Sequence, residues 1–367
     1  MSQTAPMRVL IAGGGVAALE AALALRAIAG DRVAVELLAP GTQFTHRPSS
    51  VVSPFSGEDA PQVSWDRVQM TLHRGSLESV DPDAHDVLTT DGGRLRYDRL
   101  LVTTGAKPVE AVPGATLFRG PISAGAVDAA IHGAGERVIF TVPAEAAWGL
   151  PVYELALLAA HERADAPNLM VVTPEPRPLD VFGRTASDAV ARLLDRAGIE
   201  FVGETAADSV IGDALITRDG SMIRADAVIA LPRLVPREIP GLPEGFLEID
   251  EHARVVGVPH VFAAGDVTAE PIKQGGLATQ QADAAAEQIA LEAGAEIEPR
   301  PYQPVLRGLL LTGEAPLYMR IDLIARQGVA RPLRYEPPGT SRAPLWWPDQ
   351  KIVGRYLAGY LAASRND

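Results

Sequence analysis

Short unbroken apolar runs alternate with longer Ala-rich stretches along most of this chain, the pattern of buried parallel strands joined by helices. Val9 to Ile11 reads as a buried strand, Val16 to Ile28 as a helix and Val33 to Leu38 as a second strand. Together they close a β-α-β unit of about 30 residues. A helix is expected near Trp65 to Met70. Gly75 to Asp81 reads as a strand entering a turn, and Val87 to Thr90 with Arg94 to Tyr97 as a hairpin around Asp91-Gly92-Gly93. Asp98 to Pro108 is a buried strand that ends in a glycine turn.

The Gly/Pro-rich connection Val112 to Pro121 marks a domain crossover. A second α/β set follows. It comprises a strand over Arg137 to Val142, a helix over Val152 to Ala164, a strand over Leu169 to Thr173, a helix over Thr185 to Ala197, and strands near Ile199 and Val210. Residues 222–230 end this set, and the Pro-rich run Leu231 to Pro243 leads back. His260 to Asp266 is a buried strand with a glycine turn, followed by an Ala/Gln-rich helix from about Leu277 to Ala293. The tail from Pro301 carries strands and a final helix from Ile352. The two α/β sets read as two copies of one nucleotide-binding plan.

The first turn carries the most specific chemistry. Gly13 and Gly15 occupy the first two places of a G-x-G-x-x-G/A fingerprint and Ala18 the third. Gly13 allows the tight turn, and Gly15 leaves no Cβ between backbone and a pyrophosphate. Ala18 lets the helix pack close to the strand, so that the free N–H groups at the helix start face the phosphates.

Composition narrows the chemistry further. Length allows two or three domains. The net charge of −13 argues against a nucleic-acid partner. There is no cysteine, which removes disulfides, thiolate nucleophiles and cysteine-ligated zinc or iron–sulfur sites. His46, His73 and His85 lack metal-ligand spacing. No signal peptide and no apolar run long enough to span a membrane is seen, so the expected location is the cytoplasm.

Three motifs recur in fixed order: the glycine fingerprint, Thr103-Thr104-Gly105-Ala106-x-Pro108, and Val261-Phe262-Ala263-Ala264-Gly265-Asp266. Jointly they resemble the pyridine nucleotide-disulfide oxidoreductase flavoproteins over about residues 7–300. Phe44-x-x-x-Pro48, Leu150 to Glu154, Pro174 to Leu179 and Lys273 to Gly276 are most similar to the sulfide:quinone reductase and flavocytochrome sulfide dehydrogenase branch, with type-II NADH dehydrogenases next. The resemblance implies an α/β fold with two Rossmann-like FAD/NAD(P)-binding-type domains plus a C-terminal cap. The FAD domain would be residues 1–118 and 240–300, the second domain 119–239 and the cap 301–367.

The resemblance also implies FAD as cofactor. The cofactor-binding candidates are Gly13, Gly15, Val16, Ala17, Ala18, Ala39, Arg47, Leu77, Thr104, Gly105, Gly265, Asp266, Gly276 and Leu277. In the family the Gly-Asp pair meets the ribityl chain or a pyrophosphate-bound water, the place of Asp266. The start of the long helix approaches the flavin pyrimidine ring, which puts Lys273 near it. Glu154 falls where the family has a glutamate thought to carry protons. Glu154 and Lys273 are therefore the catalytic candidates. No carboxylate is assigned to the adenosine ribose, since Ala39 stands where it would be met and Glu36 lies inside the strand.

Two features depart from the family. The redox cysteines of the sulfide-oxidising enzymes are missing, with Trp148 in what looks like the place of one. The first turn of the second set, Pro143 to Pro151, has no glycine fingerprint, and its prolines and Trp148 sit where a pyrophosphate needs bare backbone. The expected activity is FAD-dependent two-electron transfer with a small-molecule or quinone-like partner and no cysteine chemistry. An NAD(P)H dehydrogenase with an atypical nucleotide site and a flavin-binding sensor without turnover are the alternatives. The tail stripe Ile352-Val353-x-x-Tyr356-Leu357-x-x-Tyr360-Leu361 reads as a face packed on its own domain or on a second copy in a homodimer. A membrane surface is disfavoured because the cationic flank of Lys351 and Arg355 is thin.

Overall fold

The computed structural model describes residues 5–162, 168–326, 329–332 and 339–364. Two five-stranded parallel sheets dominate it. The first runs in the order Val261–Ala263, Arg99–Val102, Met7–Ala12, Val33–Ala39, Thr71–Arg74. The second runs Thr116–Leu117, Ala227–Ala230, Arg137–Thr141, Asn168–Val172, Glu200–Val202.

Both sheets are covered on two faces, which is why their strands read as continuous apolar runs. Val9 and Ile11 enter the core beneath the first helix, Val16–Ala29, while Leu10 and Ala12 point to the opposite face. Phe140 and Ile139 divide the second sheet in the same way. Small side chains let the first helix press against the long helix Gly275–Glu292, with Ala18, Ala21 and Ala22 meeting a core that includes Ala278, Ala282 and Ala285.

The duplication expected from sequence extends to details. Each sheet is preceded at its last central strand by a three-stranded antiparallel meander, residues 77–96 and 207–224. Each meander tip is closed by a threonine: Thr89 Oγ1 donates to Gly93 O and Thr217 Oγ1 to Ser221 O, both at 3.0 Å. After each meander an aspartate pins the neighbouring strand. Asp98 accepts from Arg8 N at 2.7 Å, and Asp226 accepts from Glu136 N and Arg137 N at 2.7 and 2.8 Å. The two passages between sheets, Lys107–Val109 and Arg233–Val235, pair antiparallel.

The C-terminal unit is an antiparallel sheet built on Val305–Leu310 and Leu317–Arg326. Its Leu306 and Leu310 join the second core, whereas Ile352, Leu357 and Leu361 join the first. The apolar stripe of the tail therefore packs on the chain's own first unit. The final helix starts at Leu357 rather than Ile352. Glu20 sets that start, because its carboxylate accepts from Tyr356 N and Leu357 N at 2.9 and 2.6 Å.

Two other elements differ from the sequence expectation. Residues near Trp65 form only a 3-10 turn, Trp65–Val68, which Gln69 ends in a left-handed conformation. A helix over Ala124–Gly133 was not expected, since glycines within it mask its pattern. The helix expected to Ala164 is described to Glu162, and residues 163–167 lie outside the described residues. No described helix is long and apolar enough to cross a membrane.

Candidate active site

One cleft of about 730 Å³ runs from the first glycine turn to the C-terminal unit. Its floor is the end of the first strand. Gly13 has φ +129°, and a Cβ there would lie 2.2 Å from Thr103 O. Gly15 is different: a Cβ at this position would meet nothing within 4 Å and would stand in the open cleft. Gly15 also caps the first helix without a side chain, so the first-turn amides of Val16 and Ala17 are left toward the cleft. That is a cradle for an anion such as a dinucleotide pyrophosphate, and the residues present fit one.

Thr104, Gly105, Gly265 and Asp266 line the wall next to this cradle. Burial pushes the Asp266 carboxyl above the usual carboxylate range, opposed by the charges of Lys273 and Arg47. Lys273 is nearly buried, with Nζ over the Phe246 ring at 3.8 Å and donating to Thr268 O. Burial pulls its ammonium down to about 8, against the attraction of Asp266 and Glu270.

The opposite wall joins the second unit to the tail. Glu154 is wholly buried on the helix Leu150–Glu162, and Lys351 Nζ lies 2.6 Å from each of its oxygens. Leu311 N donates to Glu154 Oε1 at 3.1 Å. Burial raises the Glu154 carboxyl and lowers the Lys351 ammonium, while each charge favours the other. Thr279 Oγ1 donates to Val353 O at 3.1 Å, and Ile352 lies over Gly275, so the tail is fixed across the long helix here.

The corresponding turn of the second unit is filled by protein. Trp148 lines the cleft and packs edge-on against Phe182, ring centroids 5.9 Å apart. Glu145 is paired with Arg218. Glu175, just past the second strand, accepts from Tyr153 Oη at 2.6 Å, and burial raises its carboxyl. Val152 N is spent on Gly149 O at 3.0 Å, and Pro151 has no N–H to offer.

Of the sequence candidates, Gly13, Gly15, Val16, Ala17, Ala39, Arg47, Leu77, Thr104, Gly105, Gly265, Asp266, Glu154 and Lys273 all line this cleft. Ala18, Gly276 and Leu277 do not. Ala18 is buried between the first and long helices. Leu277 N is taken by Gln274, whose Oε1 accepts it at 3.0 Å, and the same side chain folds beside Gly276. Glu36 is held by His73 at 2.6 Å and by Arg8 at 3.3 Å. Sequence reasoning left Lys351 as a surface flank and passed over Arg307. A lone arginine inside the apolar run Val305 to Leu310 is the signal that marks it.

Comparison with known proteins bears on the family and the fold. The family model described as pyridine nucleotide-disulphide oxidoreductase matches residues 7–288. An NADH dehydrogenase-like protein of Mycobacterium tuberculosis is 26% identical over 221 residues, 53% of this chain and 54% of that protein. Rhodocoxin reductase of Rhodococcus erythropolis is 26% identical over 301 residues, 72% of this chain and 66% of its own length. The chain thus spans between about half and two thirds of the length of these curated relatives. The crystal structure of sulfide:quinone oxidoreductase from Aquifex aeolicus superposes with a TM-score of 0.76 at 19% identity, covering 86% of this chain and 84% of that one. With the family match over most of its length, the three motifs in order and two parallel sheets flanking one cleft, the chain belongs to the pyridine nucleotide-disulphide oxidoreductase family.

Proposed function

We propose that this protein is an FAD-dependent oxidoreductase, arranged like a sulfide:quinone reductase but working without cysteine chemistry. Residues 1–118 and 240–300 would form the FAD domain, 119–239 the second domain and 301–367 the cap, each including residues outside those described. The observation that carries the reading is the convergence of Gly15, Gly105 and Asp266 with the Glu154–Lys351 pair on one cleft. FAD, when bound, supplies two-electron exchange at N5. Val16 and Ala17 would offer their amides to its pyrophosphate, and Asp266 would face its ribityl side. Lys273 adds positive charge beside Asp266. Lys351 would keep the proton shared with Glu154 on its ammonium, donating to both carboxylate oxygens at the wall of the cleft.

The electron donor is a small molecule other than NAD(P)H, and the partner is small or quinone-like. Three features support this: Trp148 in the second turn, the Glu145–Arg218 pair and the engagement of Glu175 by Tyr153. The similarity to an NADH dehydrogenase-like protein favours a second reading, an NAD(P)H dehydrogenase with an atypical site. Anaerobic spectra of the FAD-loaded protein against NADH, NADPH, sulfide and reduced quinones test both. Loss of the oxidised flavin bands with NADH alone favours the second reading. No turnover with any donor favours a flavin-binding sensor.

A further inference from the structure

The cleft is far more cationic than the chain. Six basic side chains line it, Arg47, Arg119, Arg237, Lys273, Arg307 and Lys351, against the acids Glu154 and Asp266, in a protein of net charge −13. Most of the interior charge is accounted for. Lys351 is matched by Glu154, and Lys273 by Thr268 O, Asp266 and Glu270. Asp266, on the proposed cofactor path, has Lys273 and Arg47 as its charged neighbours.

Arg307 stands apart. Its guanidinium has no hydrogen-bond or ion-pair partner among the described residues, and its Nε is shut off from solvent. The charges it feels are Arg320, directly opposite on the neighbouring strand, and Asp322. Asp322 is already taken by Arg320 at 3.1 Å. A half-buried unpaired guanidinium is costly unless something brought to the cleft matches it.

Its position is fixed. Arg307 O accepts from Gln274 Nε2 at 3.2 Å, and Gln274 Oε1 caps the 18-residue long helix at Leu277 N. The next residue, Gly308, faces the other side of the strand, where a Cβ would lie 3.1 Å from Leu150. Leu309, on the same strand face as Arg307, also lines the cleft.

We propose that Arg307 anchors a carboxylate of the small-molecule redox partner, which makes that partner an organic acid whose apolar body lies along Leu309. The planar fork of one guanidinium matches a carboxylate through two parallel hydrogen bonds. The inference rests on the FAD reading of the cleft.

The test uses FAD-loaded protein, titrated with benzoate and, as the neutral isostere, benzamide. Binding is followed by the flavin difference spectrum and by calorimetry. Benzoate is expected to saturate, benzamide to bind at least about tenfold more weakly, and Arg307→Gln to weaken benzoate about 10–100-fold at unchanged FAD content. Equal binding of benzoate and benzamide overturns the inference, as does no saturable benzoate signal at about 20 mM. Loss of FAD from Arg307→Gln also overturns it, since the guanidinium would then serve the cofactor. If that variant does not fold, the benzoate–benzamide comparison on the unaltered protein decides alone. Protein that takes up no FAD contradicts the cofactor reading and the inference with it. FAD-loaded protein indifferent to benzoate contradicts the inference only.

Discussion

Lys351 Nζ lies 2.6 Å from both oxygens of Glu154, across 197 residues of sequence. The pair ties the tail to the second unit at the wall of the cleft. Removing one partner leaves the other charge largely out of water. Glu154→Gln and Lys351→Met should each destabilise the fold by about 3–5 kcal/mol, and the double variant by clearly less than the sum. Urea unfolding of the four proteins measures the coupling. Simple additivity would show that the pair is not a unit.

The two outer glycines of the first turn should separate folding from cofactor binding. Gly13→Ala forces a Cβ to 2.2 Å from Thr103 O at a φ of +129°, so it should cost several kcal/mol or prevent folding. At Gly15 there is free space and an extended φ of −96°. Gly15→Val should therefore fold with stability within about 1 kcal/mol, yet purify without flavin. Full flavin content in Gly15→Val would mean the cradle is misassigned.

The pH dependence of stability should carry the mark of Glu20 and Asp283. Glu20 is buried beneath the last helix, and burial followed by the neighbouring Glu20 charge raises Asp283 to about 8. Arg355 opposes this, while Glu287 adds to it and is itself held by Arg300 and Arg355. The folded state therefore keeps a proton that the unfolded chain releases near pH 4. The stability this proton contributes is fully present below about pH 4 and is lost as pH rises through about 8. The Tm should fall from pH 5 to pH 9, and Asp283→Asn should flatten that fall. An unchanged slope in the variant would remove this pair as its origin.

Much of the architecture was legible because it rests on local rules. The run Val9 to Ile11, the glycines at 13 and 15 and the alanines behind them specify strand, turn and helix within a few residues of one another. Asp266 was reached instead through the family resemblance of its Gly-Asp motif, and it lines the cleft. The rest depends on contacts between distant segments. Nothing near Lys351 announces Glu154, and nothing near Glu20 announces the amides of Tyr356 and Leu357. Gln274 shows how a side chain can undo a local expectation, since it occupies the Leu277 amide that the helix start would otherwise present. Arg307 carries a sequence signal, a lone arginine in an apolar run, but its lack of a partner shows only once its strand is set beside Arg320 and the cleft.

The donor assignment turns on the second turn of the fold. A dinucleotide there needs backbone N–H groups within about 3 Å of its phosphates. Pro143 and Pro151 have none, Trp148 fills the space against Phe182, and Glu145 brings negative charge already matched by Arg218. Losing two or three phosphate hydrogen bonds weakens binding by two or more orders of magnitude, at about 1.5–3 kcal/mol each. Anaerobic mixing of the FAD-loaded protein with millimolar NADH measures this directly. The oxidised flavin absorbance should stay nearly unchanged over minutes, and its complete loss within about a second would contradict the proposed donor class.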